Sequence, residues 1–456
     1  VIRGAGQAAK SGPANRPGRG VCRGRAGRSV AFGVRIAAFA LLTAVAGVGT
    51  ARGFPVGGYF KSFAIFLNPP AYKLDGSWIG QPDMGSVDNK LRLKLSLDLS
   101  SLVAFDAAYE ISPRIQDRRL WANDVFFPGL EPSNYRLADL RSLLYPGGGR
   151  TPESFGVYQN LDRLSFAFKP RAATFIVGRQ AVAWGSARVI NPTDILAPFA
   201  FDTLDKEERL GIDAVRVRVP LGVMDELDMG VVAGRDLAAV GDAFFVRGRT
   251  HQLETDIAGT VMAFRGHLML GLDVARSIGG AGAWLEAAYV LTDALGMEGA
   301  LAGRNYFRAS AGLDYNFSGK TYGFVEYHFN SAGASDPAEY LGLLATPAYR
   351  DGADYLLGRH YASVGTTYQI TPLLPFTGLA IVNLNDLSLV VAPAADYNVA
   401  ENVYLAAGAY MGIGKRPELA GGVPPPDPVN ALVPGAFRSE FGAYPGLVYV
   451  SFRIYF

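Results

Sequence analysis

The stretch LRLKLSLDL, Leu91 to Leu99, carries leucine at every odd position, with Arg92, Lys94, Ser96 and Asp98 between. Successive side chains of a β-strand point to opposite faces, so this period of two predicts a strand with one apolar and one charged face. A helix would scatter the leucines around its circumference. Two settings suit such a strand: a soluble sandwich, or a membrane barrel with lipid outside and a wet lumen. The stretch is also close to the ~9–11 residues that a tilted strand needs to cross a bilayer.

The rest of the chain favours the barrel. Its 456 residues are 49% hydrophobic and only 18% charged, with 27 Phe, 22 Tyr and 55 Gly, a mixture suited to strands and turns. Alternation recurs at 58–66, 101–111, 164–169, 174–184, 212–220, 226–234, 256–264, 268–276, 283–291, 306–317, 321–329, 360–370, 376–384, 387–392, 403–413 and 447–456. With 91–99 the count is 17. Termini on one side of a membrane require an even number, and AFFVRGRT (243–250) is the best missing strand. The expected fold is therefore all-β: one closed antiparallel transmembrane barrel of about 18 strands, with 16 as the alternative.

The connections are of two kinds. Short turns are expected at 99–101, 169–172, 220–226, 317–320, 371–375 and 397–402, and long loops at 68–88, 112–160, 185–209, 330–359 and 414–440. Short periplasmic turns facing long extracellular loops are the layout of an outer-membrane barrel. No further apolar run reaches the ~20 residues of a transmembrane helix, and a closed barrel is the other way to satisfy every backbone group in lipid. Arg92 and Lys94 would each cost roughly 2–4 kcal/mol if turned to lipid at mid-depth, and alternation sends them inward. The last residues, LVYVSFRIYF, place Phe452, Ile454 and Phe456 on one face and end on an aromatic, which resembles the assembly signal of bacterial outer-membrane barrels.

Residues 1–53 read as a leader. They hold no Asp or Glu, and Lys10 and seven arginines precede the apolar run IAAFALLTAVAGVG (36–49). A basic segment, a short apolar segment and small residues at a cut site describe a secretory signal peptide, here with an extended basic region. A single anchoring helix is the competing reading, but the run is shorter than a span needs. Cleavage is expected after Ala51 or Gly53. Without residues 1–51 the chain keeps 35 basic and 41 acidic residues, a mildly acidic balance that gives no reason to expect a nucleic-acid partner. Cys22, the single cysteine, leaves with the leader, so no disulfide or thiol chemistry is expected in 54–456, the barrel.

Inward parity nominates Arg92, Lys94, Asp98, Asp106, Glu110, Arg179, Arg216, Arg218 and Glu326 as pore-lining. The most distinctive segment is GRQAVAWGSARVINPTDILAPFAFDTLDKEERLGIDAVRVR, 178–218. NPTD (191–194) is a turn signal, because Asn191 and Asp194 can cap local backbone. A loop here that folds into the barrel would narrow the pore through Trp184, Asn191, Asp194, Asp205, Glu208 and Arg209, facing acids and bases across it. A surface loop with solvated ion pairs is the competing reading. YRLADLRSLLYP (135–146) places Leu137, Leu140 and Leu144 on one side of a short expected helix, either a lumen plug or a rim element.

The GRQ…WG…NPTD pattern resembles a segment of proteobacterial outer-membrane barrels of the porin-like and alginate-export-like type. The resemblance is strongest over 178–218 and extends weakly to 135–144, 286–289, 312–317 and 325–330. It implies a pore of about 18 strands rather than a particular substrate.

Enzyme signals are poor. His251, His267, His328 and His360 lack metal-ligand spacing, and no nucleophile elbow or phosphate loop occurs. His328 with Ser310 or Ser363 is the one arrangement geometrically open to a hydrolase. The expectation is a Gram-negative outer-membrane porin for passive diffusion of small polar solutes. Its partners would be membrane lipid, the barrel-assembly machinery and the solutes, with no cofactor. The alternatives are a substrate-specific export or uptake barrel gated by loop 112–160, and a non-conducting structural or adhesin barrel.

Overall fold

Outward-facing apolar residues alternate with inward-facing polar ones along strand after strand, and pairing these strands edge to edge closes a cylinder. The computed structural model describes residues 56–122, 135–148, 150–235, 238–419 and 437–456. The expected leader lies outside the described residues. The barrel strands are β1 (Val56–Asn68), β2 (Met84–Asp98), β3 (Val103–Gln116), β4 (Phe155–Phe168), β5 (Thr174–Gln180) and β6 (Ile212–Pro220). Then come β7 (Glu226–Val232), β8 (Ala243–Gln252), β9 (Thr255–Phe264), β10 (His267–Ile278), β11 (Ala281–Leu291) and β12 (Tyr306–Ser318). The last six are β13 (Thr321–Asn330), β14 (His360–Thr371), β15 (Leu374–Asn383), β16 (Ser388–Ala400), β17 (Val403–Ile413) and β18 (Gly446–Tyr455).

Each strand pairs antiparallel with its sequence neighbours, and β1 pairs with β18, so the 18-stranded sheet has no free edge. The strand that parity required is β8, paired to β7 and β9. The faces follow the alternation. Leu91 and Leu93 are 37% and 44% exposed on the outer wall, while Arg92 between them is 1% exposed inside. Among the described residues no helix is long and apolar enough to cross a membrane.

Both described ends of the chain lie on the side of the short turns. One of these, Gly279–Gly280, has φ of 58° and 87°. Positive φ at both central residues makes the tight hairpin whose twist matches the strands. On the other side the connections are long, notably 69–83, 117–154, 181–211, 331–359 and 414–445. Strands β3 and β4 run further on this side than the alternation suggested, so the loop expected at 112–160 begins after Gln116 and ends before Phe155.

The expected helix at 135–146 is not formed. Residues 135–141 run without regular structure, and Leu143–Tyr145 forms a short strand against β4. The physical reason is the uneven rim. Strand β5 has 7 residues against 15 in β2, and the missing wall height leaves backbone groups free to bond an extended segment. The N–H of Asp213 donates to Tyr135 O (2.9 Å), and Arg136 Nε donates to Gly211 O (2.9 Å).

Candidate functional site: the lumen and its inner loop

Where the wall is low, residues 181–211 turn inward and make a circuit of the lumen. Trp184 stacks edge-on against Phe245 of β8, with ring centroids 4.7 Å apart. Ser186 Oγ donates to Asp273 of β10 (2.5 Å). The chain then reaches two wall glutamates. Glu286 on β11 accepts the N–H groups of Ser186 (3.1 Å), Ala187 (3.2 Å) and Thr193 (2.9 Å), and the Thr193 hydroxyl (2.7 Å). Glu326 on β13 accepts the N–H groups of Arg188 (2.7 Å), Val189 (3.2 Å) and Ile190 (3.1 Å), and the indole N–H of Trp284 (3.1 Å).

Between these anchors Arg308 of β12 donates to Pro192 O (3.0 Å). Further on, Phe201 packs on Tyr355, Phe441 and Tyr444, which come from the loops over the mouth and form a buried cluster. The loop then crosses to the far wall. Asp205 pairs with Lys61 of β1 (2.8 Å) and Lys90 of β2 (3.1 Å). Glu207 pairs with Lys61 (2.5 Å) and accepts the Tyr455 hydroxyl of β18 (2.7 Å). Glu208 pairs with Lys94 of β2. The circuit closes where the N–H of Gly211 donates to Asp162 of β4 (2.8 Å).

Local chemistry explains the WG…NPTD spacing. Gly185 has φ of 113°, and a Cβ there would sit 2.3 Å from Asn191 Oδ1 and 2.7 Å from Glu286 Oε2. Asp194 pairs with Arg209 across the loop (2.6 Å), joining its outgoing and returning arms. The six residues nominated for the loop thus fall in three groups: Trp184, Asn191 at the wall anchor, and Asp205, Glu208, Asp194 and Arg209 in ion pairs.

The nominated wall residues divide by exposure. Lys94, Arg218, Asp98 and Asp106 face inward with part of their surface open. Arg216 binds Asp228 through two nitrogens (2.8 and 2.6 Å), and Arg218 binds Glu226 (2.6 Å). Others do not meet open water, contrary to the expectation for an inward charge. Arg92 is sealed between Glu110 and Asp162, each 2.7 Å away. Glu326 is spent on loop amides. Arg179 is a rim clamp, bonded to Asp213 (2.7 Å), Asp139 (2.9 Å) and Ala138 O (2.6 Å). Arg92 is covered by acids of the neighbouring strands β3 and β4, with Glu208 of the inner loop 3.5 Å away, whereas Glu326 and Arg179 are covered by loop groups; strand alternation registers none of these partners.

Sequence reasoning missed Lys61, Lys90, Asp162 and Glu286. Lys61 and Glu286 carried a signal, being lone charges at inward parity in otherwise apolar strands. Asp162 had none, because it sits where the β3–β4 register shifts. Ser310 and His328 do meet, with His328 Nδ1 2.9 Å from Ser310 Oγ, but that hydroxyl donates to Ile190 O (2.7 Å) and both residues are buried under the loop. The pair is a loop support, with its hydroxyl already committed.

No family model matches the sequence, and no curated protein does. Solved structures share its architecture. A BenF-like porin from Pseudomonas fluorescens Pf-5 is 12% identical over 90% of this chain and 100% of that one, with a TM-score of 0.50. OccAB2 of Acinetobacter baumannii is 11% identical over 88% of this chain and 98% of that one, also with a TM-score of 0.50. At such identities the likeness is one of fold: the described residues form an 18-stranded closed antiparallel β-barrel, the architecture these solved structures share.

Proposed function

We propose that this protein is a channel of the Gram-negative outer membrane through which small polar solutes diffuse passively. The observation that carries the reading is the inner loop: a closed barrel with a lipid-facing apolar belt is lined by a second layer of chain that leaves charged groups along the remaining path. A barrel serving only as an anchor has no use for such a layer. The charges on that path are paired, Lys94 with Glu208, Arg216 with Asp228 and Arg218 with Glu226. Paired charges give weak ion selectivity and speak against an arginine-lined pore for a polyanion such as alginate. Phe452, Ile454 and Phe456 are exposed on the outer wall, where assembly machinery and lipid would meet them.

The alternative gate, loop 112–160, falls partly outside the described residues, and of its described residues those at 135–148 lie along the rim. The inner loop 181–211 is the constriction we favour. The test is planar-bilayer conductance of refolded 54–456 with the reversal potential in a salt gradient. Steady openings support the channel, and silence from a folded barrel overturns it. Replacing Arg216 and Arg218 together by alanine leaves Asp228 and Glu226 uncompensated, so the reversal potential should move toward cation preference. An unchanged potential removes these residues from the conducting path.

A further inference from the structure

Five tyrosines share one sector of the inner wall: Tyr404 and Tyr410 on β17, Tyr449 and Tyr455 on β18, and Tyr59 on β1. Their strand neighbours Leu405, Met411, Val450 and Ile454 are exposed outside, so by alternation the tyrosines face the lumen. The rings of Tyr59 and Tyr455 lie 5.9 Å apart at 66°, and those of Tyr404 and Tyr455 lie 5.8 Å apart at 86°. Higher up, Tyr449 lies over Gly408. A Cβ at that glycine would come within 2.6 Å of the phenol, so a larger residue would push the ring off the wall. From Tyr455 to Tyr449 the strand climbs roughly 20 Å at ~3.3 Å per residue. The stripe also borders the constriction, since the Tyr455 hydroxyl is bonded to Glu207 of the inner loop.

The charges beside the stripe are compensated. Lys61, 4.1 Å from the Tyr59 ring centre, is held by Asp205 and Glu207. Arg453, 5.5 Å from the Tyr404 ring centre, is held by Asp396. Tyr59 is itself sealed beneath Lys61, 1% exposed, and backs the stripe. The partly open faces are therefore those of Tyr404, Tyr410, Tyr449 and Tyr455, with no net charge beside them, whereas the β6–β7 sector offers ion pairs. We propose that the tyrosine stripe is a binding track for uncharged, hydroxylated ring solutes of monosaccharide type. This deepens the channel reading and rests on it. A pyranose has a flat C–H face to lie on a tyrosine and a rim of hydroxyls to meet phenol oxygens, Ser451 and the Asp396–Arg453 pair. An open-chain polyol of nearly the same mass has the hydroxyls without the face. An ion gains nothing from a wall whose charges are already matched.

The experiment is uptake into liposomes holding the refolded channel, comparing D-glucose with sorbitol. Both use the same pore, so a pore that is merely wider changes both rates and leaves their ratio near one. The track predicts glucose entering about threefold faster, the scale of one ring contact. Tyr404→Ala with Tyr449→Ala should bring the ratio to one, and Tyr404→Phe with Tyr449→Phe should keep most of it. Folding of each variant is read from sheet circular dichroism. A ratio of one in the unaltered protein overturns the track and leaves the channel standing. Galacturonate entering faster than glucose overturns the assignment to uncharged rings. No uptake of any solute overturns the channel and the track together.

Discussion

A side chain at Gly185 has nowhere to go. Its φ of 113° disfavours L-residues, and a Cβ would sit against Asn191 and Glu286. Gly185→Ala is expected to cost about 1–3 kcal/mol and to loosen the inner loop at its first anchor. The wall strands do not depend on this contact, so the barrel should still form while single-channel noise and mean conductance rise. Unchanged conductance with an unchanged melting temperature would show that the anchor does not set the pore. The two glutamates act at the same scale. Each gathers three backbone N–H groups and one side-chain donor, and every such buried donor left unpaired costs about 1–3 kcal/mol. They hold the backbone by its amides, so their work tolerates changes in the loop side chains that they do not touch.

At the scale of elements, the inner loop is fixed by amides on one wall and by ion pairs on the other. Asp205→Asn, Glu207→Gln and Glu208→Gln together would leave Lys61, Lys90 and Lys94 without their loop acids. The reversal potential should then move toward anion preference, more strongly at low salt, where screening is weaker. A shift toward cations would contradict the pairing. The loops over the mouth carry a second clasp. Glu440 accepts from Tyr361 Oη (2.5 Å), Asn383 Nδ2 (2.8 Å) and the N–H of Leu357 (2.9 Å), while its own N–H donates to Asp386 (2.7 Å). Burial pushes the Glu440 carboxyl up from 4.5 to about 7. A carboxyl raised in the folded state contributes stability that is full below pH 4.5 and lost as pH rises through about 7. Protease nicking of 414–445 should therefore be faster at pH 8.5 than at pH 5.5, and Glu440→Gln should flatten that difference. Equal nicking at both pH values in the unaltered protein would refute the clasp's pH dependence.

At the scale of the whole molecule, closure depends on one seam. Strands β1 and β18 pair from Tyr59 opposite Tyr455 to Asn68 opposite Gly446, and Gly58 and Phe456 exchange N–H···O bonds of 2.8 and 3.0 Å. Deleting 446–456 would leave β1 and β17 each with an unpaired row of backbone groups facing lipid, where each unmet group costs several kcal/mol. Such a chain should fail to give a folded barrel by sheet circular dichroism and by heat-dependent gel mobility. A barrel that forms without this strand would show that the seam is dispensable.

The period of two along LRLKLSLDL and its counterparts determined seventeen strands and the direction of their side chains, because strand geometry ties direction to parity; the even count that a closed barrel requires supplied the eighteenth, β8. The contrast of short and long connections was equally legible, since it is written in spacing. Proline, glycine and the NPTD turn marked 178–218 as a distinctive loop. What its charges would meet was not written there. Arg92 and Glu326 share inward parity with Lys94 and Arg218, yet the first two are sealed by Asp162 and by loop amides while the others keep part of their surface open. Leucines at 137, 140 and 144 have helical spacing, but the low wall at β5 and β6 offered backbone partners to an extended chain. Parity fixes where a side chain points. Which segment comes to stand in front of it is a contact across 70 residues or more, as for Arg92 with Asp162 and Arg188 with Glu326, and only the closed barrel brings the two together.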